Sequence, residues 1–107
     1  MSRKLIFICF KHPELNAKDF AAEWAGARHA AVVERIPGLE RYVHNYVGAT
    51  DQASAPDGIG ELWFETDEAL EGAVNSPEMG AAVEDAKKFL DMGRTYAVPA
   101  TEATIIG

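Results

Sequence analysis

Six consecutive apolar residues, Leu5-Ile6-Phe7-Ile8-Cys9-Phe10, constrain this chain more than any other feature. The run is rich in β-formers and is closed by Pro13, so it reads as a strand buried on both faces, and such a strand belongs in the middle of a sheet. With 107 residues there is room for one core and no second module, and we expect a single domain over 1–107. Hydrophobic residues at 48% and charged residues at 25% are ordinary globular proportions, so the rest of the chain has the means to cover that strand.

The covering elements follow in order. Asn16 caps a helix from about Ala17 to Arg35, ended by Pro37-Gly38, with Phe20, Trp24, Ala31, Ala21, Ala25, His29, Val32 and Ile36 on its apolar arc. Leu39 to Val47 is a second strand, with Tyr42, His44 and Tyr46 on one face and Leu39, Val43 and Val47 on the other. Gly48 to Asp57 is a loop of small and turn-forming residues. Ile59 to Glu65 is a third strand, and a second helical region starts at Thr66 or Asp67. It is interrupted at Asn75-Ser76-Pro77, where Ser76 as cap and Pro77 as first helical residue restart it. Met79, Val83, Ala86 and Leu90 then form one buried stripe, Gly93 ends the helix, and Thr95 to Val98 is the fourth strand before Pro99.

The order β-α-β-β-α-β folds most simply as a ferredoxin-like α+β unit: a four-stranded antiparallel sheet with both helices on one face. The other face is then bare. Strands that are apolar on both sides would make it a larger exposed patch than monomers usually carry, and a second copy packed sheet to sheet is the natural cover. We therefore expect a homodimer.

Charge and motifs exclude several classes of function. A net charge of −7 disfavours a nucleic-acid partner, which recruits clustered Lys and Arg. Cys9 is the only cysteine, so no intrachain disulfide forms, and a reducing cytoplasm is the expected setting. The apolar run is too short for a signal-peptide core or a membrane span, so no membrane partner is expected. His12, His29 and His44 lack the spacing of a local metal motif, Gly58 and Gly60 do not form a phosphate loop, and no Gly-x-Ser-x-Gly elbow is present. The expectation is chemistry or binding without metal or cofactor.

Several segments together resemble the EthD family: Lys11-His12-Pro13, Phe20, Trp24, Arg28-His29-Ala30, Ile36-Pro37-Gly38-Leu39, Arg41-Tyr42-Val43, Asn45, Gly60-Glu61-Leu62-Trp63-Phe64, Ser76-Pro77-Glu78 and Phe89-Leu90-Asp91. The resemblance spans nearly the whole chain and implies a dimeric α+β barrel, with a small pocket between sheet and helices in each subunit. EthD itself is tied to bacterial ethyl tert-butyl ether degradation beside a cytochrome P450 system. Relatives include a methylmuconolactone methylisomerase and fungal dehydratase-like members acting on polyketides. The isomerase has a cysteine between the Glu and Trp of the third-strand motif, where this chain has Leu62, so its thiol chemistry does not carry over. A first-helix histidine does carry over, onto His29. In the second strand the family pattern has Gln and then His around the Asn, whereas here His44 precedes Asn45 and Tyr46 follows.

His29 is the sharpest candidate for chemistry, because an imidazole can shuttle a proton near neutral pH, and the small residues Ala21, Ala22 and Ala25 before it leave space beside the ring. The bland reading makes it a core histidine bonded to backbone or to Glu61. Tyr42, His44 and Tyr46 offer two phenols and an imidazole for an aromatic or oxygenated ligand, or else stack at a dimer seam. Glu61 sits between apolar neighbours and needs a partner, with Arg28, Arg35 or His29 in view. Trp63 and Phe64 point to opposite faces and one of them is expected at the ligand, with Trp24 and Leu62 nearby.

Two function classes follow. The first is a cofactor-independent enzyme of degradative or secondary metabolism, doing proton-transfer chemistry (isomerisation, cyclisation or dehydration) on an aromatic, lactone or polyketide-like compound, with His29 as acid or base and Tyr42, His44 and Tyr46 orienting it. The rival is a non-catalytic small-molecule-binding or accessory protein of an oxygenase pathway. A cofactorless monooxygenase is a third, by analogy of fold alone.

Overall fold

In a computed structural model, described here for residues 3–107, the chain runs β1 (Arg3–Cys9), α1 (Ala17–Trp24), α2 (Ala27–Val33), β2 (Arg41–Tyr46), β3 (Gly58–Phe64), α3 (Asp67–Val74), α4 (Pro77–Ala86) and β4 (Tyr96–Thr101). The four strands form one antiparallel sheet in the order β2-β3-β1-β4, so the apolar run of β1 does lie centrally. All four helices cover one face, the ferredoxin-like arrangement. Asn16, Thr66 and Ser76 each accept a backbone N–H three residues on, at 2.7, 3.1 and 3.1 Å, which fixes where α1, α3 and α4 begin.

Three boundaries differ from the sequence pattern. The first helical region is two helices, because Ala25 closes α1 and Gly26 serves as the N-cap of α2; a Cβ on Gly26 would lie 3.0 Å from the Ala22 carbonyl oxygen. The helix ending the second region stops at Ala86, not Gly93, and the chain after it is tied to the end of β1 by a bridge between Lys11 and Leu90. Strand β4 runs on through Pro99. It is an edge strand paired only with β1, where a residue without an N–H is tolerated.

Register decides which residues face the helices. Leu5 sits opposite Leu62, Phe7 opposite Gly60 and Cys9 opposite Gly58, while Tyr42, His44 and Tyr46 pair with Leu62, Gly60 and Gly58. The alternate residues, among them Lys4, Ile6, Ile8, Glu61 and Trp63, lie on the face that no helix covers. The core divides into two clusters. One joins Leu5, Leu62 and Phe64 to Val33, Ile36, Leu70 and Met79; the other joins Cys9 to Phe20, Trp24, Phe89 and Leu90. Burying a side chain such as Phe64 or Phe89 contributes about 1.5–3 kcal/mol. Between the two clusters the packing is incomplete, and the site lies there.

Candidate active site

A cavity of about 50 Å³ opens at the seam of the two core clusters, between the sheet and the helices. Phe7, Tyr42 and Leu62 line it from the sheet, Trp24, His29 and Val33 from α1 and α2, and Met79, Ala82 and Val83 from α4, with Met92 and Thr95 following. Its walls are mainly apolar. Ala21, Ala22 and Ala25 take no part in them: the space beside His29 comes from imperfect contact between clusters, not from small residues on its own helix.

His29 is only 4% exposed, and its imidazole is wedged edge-on against Phe89 with ring centroids 4.9 Å apart. Its Nδ1 lies 2.8 Å from Oδ2 of Asp85, a buried carboxylate on α4. Arg28 donates to the other oxygen of Asp85, and Lys88 Nζ lies 3.2 Å from that same oxygen. Burial alone would push the Asp85 carboxyl up, but the hydrogen bonds from His29, Lys88 and Arg28 outweigh it and hold it down at about 2. Asp85 is therefore a carboxylate at neutral pH, and its only possible role toward Nδ1 is acceptor. The proton of a neutral His29 sits on Nδ1. Among the described residues no protein group hydrogen-bonds Nε2, which carries the lone pair of this tautomer, and the ring borders the cavity.

Arg28, Arg35 or His29 was the partner expected for Glu61, and this is corrected. Glu61 lies on the other face of the sheet, 2.8 Å from Lys4 Nζ and 3.0 Å from Asn45 Nδ2. Arg28 instead bridges Asp85 and Glu23. Trp63 shares the uncovered face with Glu61, held between Lys4 and Arg41 with the cations 4.8 and 4.6 Å from its ring centroid. Phe64 is packed in the larger core cluster. Neither of the two aromatics therefore lines the cavity; Leu62, just before them in the strand, does.

Tyr42 and Trp24 line the cavity, and His44 is packed behind them. The His44 ring stacks on Trp24 at a centroid distance of 3.7 Å and an angle of 13°. A Cβ on Gly58 would fall 2.4 Å from Cζ3 of Trp24, and one on Gly60 would meet Cζ2 at 3.3 Å, so these two glycines make the room that the indole occupies. His44 hydrogen-bonds through Nε2 to the Tyr42 hydroxyl and through Nδ1 to the Tyr46 hydroxyl at 3.1 Å. Burial, with a smaller contribution from His29, lowers His44 to about 4, so it is a neutral imidazole at physiological pH. Burial likewise raises the Tyr42 phenol and pushes the Cys9 thiol, which also lines the cavity, up to about 12. Cys9 is thus no nucleophile.

Sequence reasoning missed Asp85. The signal was there: Ala82, Asp85 and Phe89 follow at helical spacing beside the recognised apolar stripe, so a carboxylate was due to be buried. Among the described residues, no three His, Cys, Asp or Glu side chains converge as a metal site, and no helix is long and apolar enough to cross a membrane.

These features define a ferredoxin-like α+β protein with an Asp–His pair beside an apolar cavity. The chain belongs to the EthD family: the EthD domain matches residues 12–93. Among solved structures it is similar to an EthD family protein from Bacillus halodurans, at 24% identity and a TM-score of 0.77, over 96% of this chain and 100% of that one. It is also similar to SnoaB, a cofactor-independent oxygenase from Streptomyces nogalater, at 13% identity and a TM-score of 0.64, over 98% and 96% of the two chains. A third likeness is to a dimeric ferredoxin-like protein of unknown function from Thermobifida fusca, at 14% identity and a TM-score of 0.64, over 95% and 92%. No curated protein matches significantly in sequence.

Proposed function

We propose that this chain is a cofactor-independent enzyme in which His29 takes a proton from the carbon beside a carbonyl in a small ring-shaped compound, as the first step of an isomerisation, cyclisation or dehydration. The observation that carries this reading is a buried histidine at the cavity wall, its Nδ1 held by an ionised Asp85 and its Nε2 without a hydrogen-bond partner among the described residues. In the proposed step the C–H bond breaks, Nε2 gains the proton, and the electron pair moves into the adjacent carbonyl as an enolate. Asp85 then faces an imidazolium, the charge it is placed to stabilise. Tyr42 is the donor within the cavity wall for the enolate oxygen or for the carbon to be reprotonated.

The cavity admits water-sized molecules as it stands, well below the several hundred Å³ of sites for larger ligands. Met79 and Met92 are flexible wall residues, and their movement is what admits a ring. This favours a small lactone or single-ring aromatic over an extended polyketide. The proposed working form is a homodimer, supported by the dimeric relatives and by Ile6, Ile8, Ile59 and Val98 on the uncovered sheet face. Sedimentation at micromolar concentration is expected to give a dimer; a stable monomer refutes it.

The test is deuterium incorporation and double-bond migration in α-angelica lactone, a small unsaturated lactone, followed by NMR in heavy water. His29→Ala is expected to lower the rate by about 10²–10⁴-fold, the loss typical of a missing general base. Its fold should survive, because Arg28 and Lys88 remain on Asp85. Activity that merely tracks the folded fraction returns His29 to a structural role, and tight binding of such lactones without turnover favours a binding protein. The likeness to SnoaB supports a second reading, in which the same carbanion meets molecular oxygen. Oxygen uptake alongside substrate loss distinguishes it.

A further inference from the structure

The proposed chemistry uses His29 and the Tyr42 hydroxyl, and leaves unexplained why a second histidine is packed behind the cavity wall with a phenol on each ring nitrogen. Tyr42, His44 and Tyr46 alternate along β2, so all three side chains stand on the same face of the sheet. Their ring planes meet edge to face, 4.6 Å between the centroids of Tyr42 and His44 and 5.8 Å between those of His44 and Tyr46. Trp24, stacked on the imidazole, fixes its plane so that both nitrogens point along the strand. The inner phenol borders the cavity. The outer residue, Tyr46, is 52% exposed to solvent.

We propose that Tyr42, His44 and Tyr46 form a proton relay that joins solvent at the β2 edge to the sheet-side wall of the cavity, across from the helix-borne His29. A neutral imidazole has one donor and one acceptor nitrogen, which a relay requires and an imidazolium, with two donors, does not supply. In the inward direction Tyr42 gives its hydroxyl proton to the ligand and takes the Nε2 proton of His44. Nδ1 takes the hydroxyl proton of Tyr46, and Tyr46 takes one from water. One proton leaves solvent, one reaches the ligand, and His44 ends as the other neutral tautomer. Hydroxyl rotation resets the chain: Nδ1 loses its proton through Tyr46 to water, and Nε2 is reprotonated through Tyr42 by the proton that His29 took from the ligand and returns to the cavity. The conduit itself stands on geometry; its use in turnover rests on the proposed function, where a proton removed by His29 on one side must be matched by one delivered on the other.

The relay is tested without any ligand. In protein labelled with ¹⁵N-histidine at neutral pH, His44 is expected to show one protonated and one unprotonated ring nitrogen, and the proton shared by Tyr42 and His44 to appear as a resolved low-field resonance. Tyr46→Phe keeps the ring against Trp24 and removes only the hydroxyl, and backbone spectra check that the fold is unchanged. In that variant the inner proton is expected to exchange with solvent about tenfold more slowly, one relay step having been lost. Unchanged or faster exchange means that solvent reaches Tyr42 by the cavity mouth, and overturns the relay. So does an imidazolium at His44, or an inner proton that exchanges too fast to observe in the unmodified protein. A failure of lactone turnover leaves this measurement standing and counts against the proposed function alone.

Discussion

Asp85, on a helix, and Glu61, on a strand, are two carboxylates on opposite sides of one sheet, and the contrast between them separates a site from a brace. Glu61 accepts from Lys4 and Asn45, has no histidine beside it and looks onto the uncovered face, where Lys4 also reaches Glu102 at 3.4 Å. Its acceptor capacity is spent on fixed donors. Asp85 also has cationic partners, but one of its bonds goes to an imidazole that borders a cavity. The difference is the group on the other side of the hydrogen bond. A lysine bound to a carboxylate is an end point, whereas an imidazole transmits the carboxylate's charge to a second atom that can bind a proton.

The sharpest way to break the comparison is Asp85→Asn. The amide keeps the shape but removes the charge, so Nδ1–H is no longer enforced and an imidazolium at His29 loses its counter-charge. Turnover of the lactone is expected to fall on the order of 10²-fold. Stability is expected to fall by about 1–3 kcal/mol, because Arg28 and Lys88 lose their counter-charge and one of the two acceptor oxygens is replaced by an N–H donor. The stability effect also carries a pH signature. The folded-state carboxyl of Asp85 lies at about 2, below its ordinary value of 3.8, so its contribution is fully present above the ordinary value and is lost as pH falls towards 2. Melting temperatures of the two proteins should therefore converge on acidification through that window. A constant gap would mean that Asp85 stabilises the fold by packing and not by charge.

Next in size is Gly58→Ala, which asks whether the helix-side face is built around Trp24. A methyl group there meets the indole at 2.4 and 2.8 Å, and the indole is also stacked with His44 at 3.7 Å and with Phe20 at 5.4 Å, so the tryptophan has little freedom to yield. A cost of about 1–3 kcal/mol is expected from overpacking, together with a shift in tryptophan fluorescence as the His44 stack is disturbed. Gly48→Ala, which meets nothing within 4 Å, should leave both unchanged. Equal melting of the two variants would show that the glycines of β3 serve the strand and not the ring.

How much of this was legible in the sequence follows from the range of each interaction. The strands were, because the apolar run at Leu5–Phe10 and the Tyr42/His44/Tyr46 alternation are local periodicities. The helix caps Asn16 and Ser76 were, for the same reason. The break at Gly26 was not, since a single glycine is often carried inside a helix and what decides here is the nearby Ala22 carbonyl. Glu61 was assigned the wrong partner because alternation separates it from Leu62 without saying which of the two faces the helices; the crossover handedness and register do that. Asp85 and His29 stand 56 residues apart, and no local rule joins them. The two phenols on His44 were placed on one face correctly, but the hydrogen bonds that make them a chain depend on the Trp24 stack.

The smallest expected effect is that of Glu61→Gln, and it is the control that gives the comparison its meaning. The Lys4 hydrogen bond, aided by Asn45, lowers the Glu61 carboxyl, against a burial effect that raises it. The group is therefore a carboxylate at neutral pH that contributes stability above its unfolded-state value and loses it as pH falls through the lowered folded-state one. Glutamine keeps an oxygen for Lys4 or Asn45 and removes the charge. In the single subunit the pair lies at a partly solvated sheet face, so the loss there is expected to be under about 1 kcal/mol, within the range of surface pairs, and a larger loss would be read as weaker dimerisation, since the proposed partner covers that face. Lactone turnover should be unchanged, since Glu61 and the cavity are on opposite faces of the sheet. Asp85→Asn and Glu61→Gln remove the same charge by the same chemistry, so any general effect of net charge on activity appears in both. If Glu61→Gln slows turnover as much as Asp85→Asn does, the distinction between a carboxylate that tunes an imidazole and one that braces a lysine fails, and the reacting group has to be sought on the uncovered face.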